Sequence, residues 1–219
     1  MRFCAFETAT DWCSVALWLD GEVHSLERRA PNGHAELALP MLERLLAGAG
    51  GRAADLQAVA FGAGPGAFTG MRIACGLAQG IAFARDLPVI GISTLEAMAE
   101  ESGAARAVAC LDARMGEVYY AALEKQGERW REVVPARCSR PADFAPPPGE
   151  GWVGCGNGFE AYGPMGMPRV LPEVHPTAAA VARLAAPRLA AGEGVDAALA
   201  APNYVRDKVA FTRSELAAR

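Results

Sequence analysis

The chain has 219 residues, 52% of them hydrophobic and 21% charged, with a mean hydropathy of +0.11, a balance that buries a sizeable core in one large domain or two lobes. Its net charge of −4 excludes a chain-wide field for nucleic acid or anionic membrane, so any RNA contact must be local or supplied by a partner. Six single cysteines without a C-x-x-C pair read as small buried hydrophobes of a reducing compartment. The start is strand-like rather than basic and greasy, and Gly, Arg or Asp interrupts every apolar run short of spanning length. The expectation is therefore a cytoplasmic protein with no signal peptide and no membrane contact.

Residues 2–7 and 12–19 read as strands, and Asp20 with Gly21 forms a hairpin signal into a third strand over 22–27. From His34, the spacing of Leu37, Met41, Leu42, Leu45 and Leu46 predicts a helix to about residue 46. Pro40 falls early enough to be tolerated there, and the glycines of 48–51 end the helix. An apolar strand at 58–61 enters a glycine-dense turn (Gly62, Gly64, Gly66, Gly70, with Pro65) and leaves as a long apolar helix to residue 84. Thr69 is the expected cap of that helix, with Arg72 beside it. A short strand at 89–92 and a helix to about 102, capped by Ser93 or Thr94, complete an α/β lobe with a mixed sheet over residues 1–102.

Beyond Gly103, strands are predicted at 108–111 and 117–123 around a turn at 112–116, with a third at 130–134. Residues 141–151 carry four prolines and read as a loop or linker. A short strand at 153–158 runs into glycines, and an alanine-rich helix spans 177–191, capped by Thr177, kinked at Pro187 and stopped by Gly192. Residues 103–219 thus form a smaller, irregular second lobe. Both halves place strands before helices, which permits an internal duplication without showing one.

The glycine turn offers backbone N–H groups at a helix head, which attract anions; Gly64, Gly66, Thr69 and Arg72 are the candidates. The plainer alternative is that these glycines serve close packing. Gly64, Gly66 and Gly70 also suggest a dinucleotide-binding enzyme, but Pro65 stiffens the turn and the strand at 89–93 ends without the ribose-binding acid. No G-x-x-x-x-G-K-[ST] occurs, which excludes a P-loop. His24, His34 and His175 have no partner at ligand spacing, so no metal is expected. Asp112 and Glu117 could be offered as a carboxylate pair, although turn residues flanking a hairpin explain them more simply.

The stretches GPGAFTGMRIA (64–74) and GLAQGIA (76–82) resemble the signature of the TsaB (YeaZ-type) family, required for threonylcarbamoyladenosine in tRNA. FETATDWCSVAL (6–17), HAELALPMLERLL (34–46), PVIGISTLEAMA (88–99), LDARMGEVYYA (111–121) and PNYVRDKVA (202–210) match the family in order. The resemblance implies the fold of actin, sugar kinases and heat-shock ATPases, a ribonuclease H-like α/β architecture of two lobes with mixed sheets, here with the second lobe reduced. It also implies a non-catalytic subunit acting on tRNAs that read codons beginning with A. That subunit pairs with the catalytic relative TsaD, which transfers threonylcarbamoyl from an adenylate, is joined by the ATPase TsaE, and forms a homodimer when alone. It reaches tRNA only through the complex and carries no cofactor of its own, with ATP or ADP a candidate at the TsaD junction.

The departures from TsaD support this reading. Where TsaD carries an H-x-x-x-H metal pair, this chain has Thr94 and Met98, a poor and a soft ligand. The superfamily's D-x-G-T phosphate loop reads Glu7, Thr8, Ala9, Thr10. Its acid is one methylene longer and a β-carbon stands where phosphate would pass, which leaves Thr8 and Thr10 as weak nucleotide contacts and argues against ATPase or metallopeptidase chemistry. By resemblance the partner surface is the first two helices: His34, Leu37, Ala38, Met41 and Leu42, then Met71, Arg72, Ala74, Cys75, Leu77, Ala78 and Ile81. Small residues (Ala74, Cys75, Gly76, Ala78, Gly80) would form a groove, with Met71, Leu77 and Ile81 as anchors; the alternative is that these faces pack on the chain's own sheet, as part of a helix apolar all round must. Arg206 and Lys208 are either tRNA contacts or a solvated basic tail.

Overall fold

The structure is a computed structural model describing residues 1–206. Its first sheet is built from β1 (Arg2–Glu7), β2 (Trp12–Leu19), β3 (Glu22–Arg29), β4 (Ala58–Gly64) and β5 (Val89–Ser93), in the order β3-β2-β1-β4-β5. β1, β2 and β3 pair antiparallel, while β1–β4 and β4–β5 pair parallel. Asp20 and Gly21 take φ of 50° and 113°, the left-handed pair that a tight hairpin requires. Parallel neighbours need crossovers, supplied by α1 (His34–Gly48) before β4 and α2 (Phe68–Phe83) before β5; α3 (Thr94–Glu101) follows β5.

The second sheet repeats this winding. β6 (Arg106–Arg114), β7 (Glu117–Gln126) and β8 (Arg129–Ser139) pair antiparallel, and β6 pairs parallel with β9 (Val153–Cys155), which pairs parallel with β10 (Val170–Leu171). The order β8-β7-β6-β9-β10 matches the first sheet strand for strand. Reduction is visible in the crossovers. A 3-10 turn (Pro141–Asp143) and proline-rich loop stand in place of α1, and the six-residue α4 (Asn157–Tyr162) stands in place of α2. α5 (Ala178–Ala190) closes the repeat as α3 does. Among the described residues no helix is long and apolar enough to cross a membrane.

Side chains alternate across each strand, so both sheets have two apolar faces to cover. On the outer face of the first sheet Cys4, Phe6, Val15, Leu17, Val59 and Phe61 pack under α1 and α2. On the inner face Phe3, Ala5, Ala58 and Ala60 join α5, α3 and the second sheet's Ala107, Ala109 and Leu111 in one continuous core. The helices cross over: α5 lies on β1, β2 and β4, while α3 lies on β6. Ala178, Ala180, Ala182 and Ala185 are fully buried, and their lack of bulk lets α5 lie close between the layers.

Several expectations need correction. The strand predicted at 58–61 continues through Gly64, so Gly62 and Gly64 belong to β4 and the turn begins only at Pro65. β3, β6 and β8 likewise outrun their predicted ends, because ladder pairing continues past the point where apolar side chains stop. The glycines after residue 153 open a helix, α4. The 141–151 stretch is no bare linker: Phe144 and, just after it, Trp152 seal the outer face of the second sheet over Tyr120 and Phe159. Although α5 lies in the second half of the sequence, it packs on the first sheet.

Thr177 caps α5, its Oγ1 accepting from Ala180 N at 3.0 Å and donating to Glu101 Oε1 at 2.8 Å. Thr177→Ala should cost about 1–2 kcal/mol in chemical denaturation. Because α5 serves both sheets, the loss should appear as a shift of one cooperative transition, with no early-melting second lobe.

Candidate functional site

The turn that joins β4 to α2 is locked to the loop after β1. Ala67 is the helix N-cap and carries no side-chain cap, so Thr69 is not the cap; it sits exposed in the first turn. Ala67 N instead donates to Ala9 O at 2.7 Å, and Thr8 Oγ1, fully buried, donates to Gly70 O at 2.7 Å. A β-carbon at Gly66 would lie 2.5 Å from Ala9 O, and one at Gly70 would collide with Thr8 O. Gly64, at φ 99°, donates its N–H to Thr94 Oγ1 at 3.1 Å. The Gly64 and Ala67 amides and the bare faces of Gly66 and Gly70 are therefore taken up within the chain itself. Of the other residues named for a nucleotide, Thr10 lines the interlobe cleft. Arg72 lies over the Phe68 ring at 3.8 Å and donates to Tyr204 Oη at 3.0 Å.

Beneath the turn lies a fully buried acid. Glu7 Oε1 accepts from Ala9 N at 2.7 Å and Oε2 accepts from Thr94 Oγ1 at 3.0 Å. Gly62 must lack a side chain because a β-carbon there would collide with the same carboxyl. Burial pushes the Glu7 carboxyl up to about 7, against the opposing pull of its hydrogen bonds from Ala9, Thr94 and Thr8. Thr94 thus links Glu7 to Gly64, while Met98 is fully buried in the core shared by both sheets. Neither side chain is disposed as a metal ligand, and among the described residues no three His, Cys, Asp or Glu gather into a metal-holding group. His34 is buried with its ring nitrogens facing Thr8 O and Ala30 O, and His175 stacks on Trp12 with a ring separation of 4.2 Å.

Of the residues expected to form a small-residue groove, Ala74, Cys75 and Ala78 are not on the surface, whereas Gly76 and Gly80 are. Ala38, Met41, Leu42, Met71, Ala74, Cys75 and Ala78 are buried in the free chain, most of them against the first sheet. Cys75 Sγ and Gln79 Nε2 bond Ala200 O at 3.6 and 3.0 Å, covering that side of α2 with the segment after α5. What α2 shows to solvent is Arg72, Gly76 and Gly80, flanked by half-buried Ile73, Leu77 and Ile81. A β-carbon at Gly76 or Gly80 would meet nothing within 4 Å. Leu37 is half-buried on α1, and exposed Leu39, Phe68 and Phe83 extend the apolar surface. Sequence reasoning missed Leu39, Ile73, Phe68 and Phe83. For Ile73 and Phe83 the spacing 69, 72, 73, 76, 80, 83, opposite the buried stripe, was the available signal.

Between the lobes a cavity of about 440 Å³ is walled by the loops after β1 and β6, the head of α2, and residues 204–206. Asp112 and Glu117 do not form a carboxylate pair. Asp112 accepts from Tyr162 Oη at 3.1 Å and meets Arg114 at 3.2 Å, whereas Glu117 Oε2 accepts from Arg206 at 2.7 Å. Arg206, with a side chain 13% exposed, is therefore no solvated basic tail. Lys208 lies outside the described residues.

Two measurements follow from this geometry. Gly70→Ala should destabilise by about 3 kcal/mol or more, because the obstructing atom is backbone, while Gly76→Ala, on open helix surface, should stabilise by about 0.5–1 kcal/mol; urea midpoints decide both. For Glu7, the folded state holds its proton up to about pH 7 while the unfolded chain releases it near 4.5, so the native state binds more protons in that window and stability falls as pH rises through it. The fall is on the order of 3 kcal/mol. Glu7→Gln should abolish this component, seen as a flatter stability difference between pH 5 and pH 8 than the unaltered chain shows.

The family model for TsaD, tRNA N6-adenosine threonylcarbamoyltransferase, matches residues 27–154, more than half of the chain. The tRNA threonylcarbamoyladenosine biosynthesis protein TsaB of Escherichia coli (strain K12) is 37% identical across 97% of this chain and 98% of its own length. Two solved structures from Pseudomonas aeruginosa superpose, both at 38% identity. A protein described as similar to peptidase YEAZ gives a TM-score of 0.88, covering 94% of this chain and 99% of that one. YeaZ gives 0.87, covering 93% and 99%. The repeated sheet winding is that of the two-lobed actin-like fold, and with identity sustained over nearly the whole of both sequences, the chain belongs to the TsaB (YeaZ) family.

Proposed function

We propose that the chain serves threonylcarbamoyladenosine formation in tRNA as a non-catalytic subunit, binding the catalytic relative TsaD through the α1–α2 face, with TsaE joining the pair. The observation that supports this most is the fate of Thr94 and Met98. They stand where TsaD carries its metal-binding pair, yet Thr94 is consumed by Glu7 and Gly64 and Met98 by the core. A chain with its reactive positions built into its own packing retains surface as its means of action. The exposed stripe of α2 suits that role: Gly76 and Gly80 permit close approach of another helix, and Leu77, Ile73 and Phe83 supply apolar contact. The same face would pair two copies when TsaD is absent.

A nucleotide at the TsaD junction would draw its phosphate contacts mainly from TsaD, because the Gly64 and Ala67 amides are already bonded within this chain. Contact with tRNA runs through the complex, in the cytoplasm. The competing reading, a dinucleotide-binding enzyme, loses its main support when Gly66 and Gly70 are seen to abut residues 8 and 9.

Co-purification with TsaD tests the proposal. Gly80→Arg and Leu77→Glu should weaken the complex at least tenfold while leaving the melting temperature of the free chain within a few degrees. Ala78→Arg, which buries a charge in the core, should instead unfold it. Undiminished binding by both surface variants, or threonylcarbamoyl transfer by this chain alone, would refute the proposal.

A further inference from the structure

The segment after α5 crosses from one lobe to the other. Ala200 O is held by α2 through Gln79 and Cys75, and Asn203 N donates to Ala63 O at 2.6 Å near the end of β4. Tyr204 lies beside Phe68, ring centres 5.6 Å apart, and accepts the Arg72 bond. All of these anchors belong to the first lobe. Two residues later the chain is fastened to the second: Arg206 donates to Ala113 O at 3.0 Å and to Glu117 Oε2 at 2.7 Å, with its guanidinium 5.5 Å from the Tyr119 ring centre. Between the two sets of anchors Val205 packs on the core common to both sheets.

We propose that residues 203–206 are an interlobe strap that fixes the two sheets in one relative orientation and closes one side of the cleft. The physical case rests on how short the connection is. With only two residues between the Ala63 bond and the Arg206 bonds, closing either anchor places the other at high effective concentration, so each stabilises the other although they grip different lobes. Arg206 suits the second anchor because one guanidinium nitrogen, Nη2, reaches the Glu117 carboxylate and the Ala113 carbonyl together, at a site where its charge is largely shielded from water. A weaker contact, Arg114 to Asp11 at 3.9 Å, spans the same cleft from the opposite direction. Lobes held at one setting serve a subunit that acts by presenting a fixed face, the function proposed above.

The test is whether loosening one anchor is felt across the cleft. In the full chain, Arg206→Ala removes the second-lobe anchor and Asn203→Pro removes the first-lobe hydrogen bond; native-state amide hydrogen exchange is read on both. Arg206→Ala should speed exchange of the Asn203 amide at least tenfold. Asn203→Pro should do the same for the amides of the β6–β7 turn, with the β2–β3 ladder unchanged in both. Should Asn203→Pro fail to fold, Tyr204→Ala loosens the same lobe's grip and carries the same expectation. Exchange that rises only in the lobe carrying the substitution, or in neither, overturns the strap.

Discussion

The structure depends on the packing of α3 and α5 between the two sheets. Each sheet has two apolar faces, and each inner face is covered by a helix that follows the other half's strands in the chain: α5 closes the first sheet, α3 the second. The core that results runs from Phe3 through Leu95 and Met98 to Leu111 and Leu184 without a break. Neither half buries its inner face without the other, so the two repeats of one winding behave as a single packing unit. The alanines of α5 make this possible, because bulkier side chains would wedge the layers apart.

That arrangement explains what became of the glycine turn. In an enzyme of related fold, bare backbone at the head of α2 would be valuable for holding phosphate. Here residues 8 and 9 fill the space against the turn: Ala9 O accepts the Ala67 amide, Thr8 Oγ1 donates to Gly70 O, and Thr8 O abuts Gly70. Glu7 completes the substitution from below. A fully buried carboxyl bonded to Ala9 N and Thr94 has no route to substrate, and its raised titration point marks a group retained for architecture at some cost in stability. The glycines are required, but by packing.

Local signals were legible where local physics decides. Asp20 and Gly21 formed the expected hairpin, Ser93 and Thr177 capped the expected helices, and the periodicity of Leu37, Met41, Leu42 and Leu46 traced α1 correctly. Thr69 failed as a cap because the helix begins one residue earlier, at Phe68, with Ala67 held against Ala9 O of a distant loop, so Thr69 falls inside the first turn. The small-residue stripe of Ala74, Cys75 and Ala78 was read as a groove for a partner, and its true neighbours are the first sheet and residues 197–200. A stripe of that kind states that something approaches closely and leaves open what does. Arg206 was misjudged for a similar reason: a basic residue near the chain end looks solvated until Glu117, almost ninety residues earlier, is brought beside it.

The sequence by itself determined the family and the order of strands and helices in the first half, because both are written in residue types at fixed short spacings. Only the tertiary structure decided that the two halves share one winding and exchange helices, which face of α2 meets solvent, and what the turn's free amides bond to. Those outcomes turn on contacts between residues far apart in the chain, where many pairings satisfy the same hydrophobic pattern and only simultaneous burial of every apolar face selects one of them.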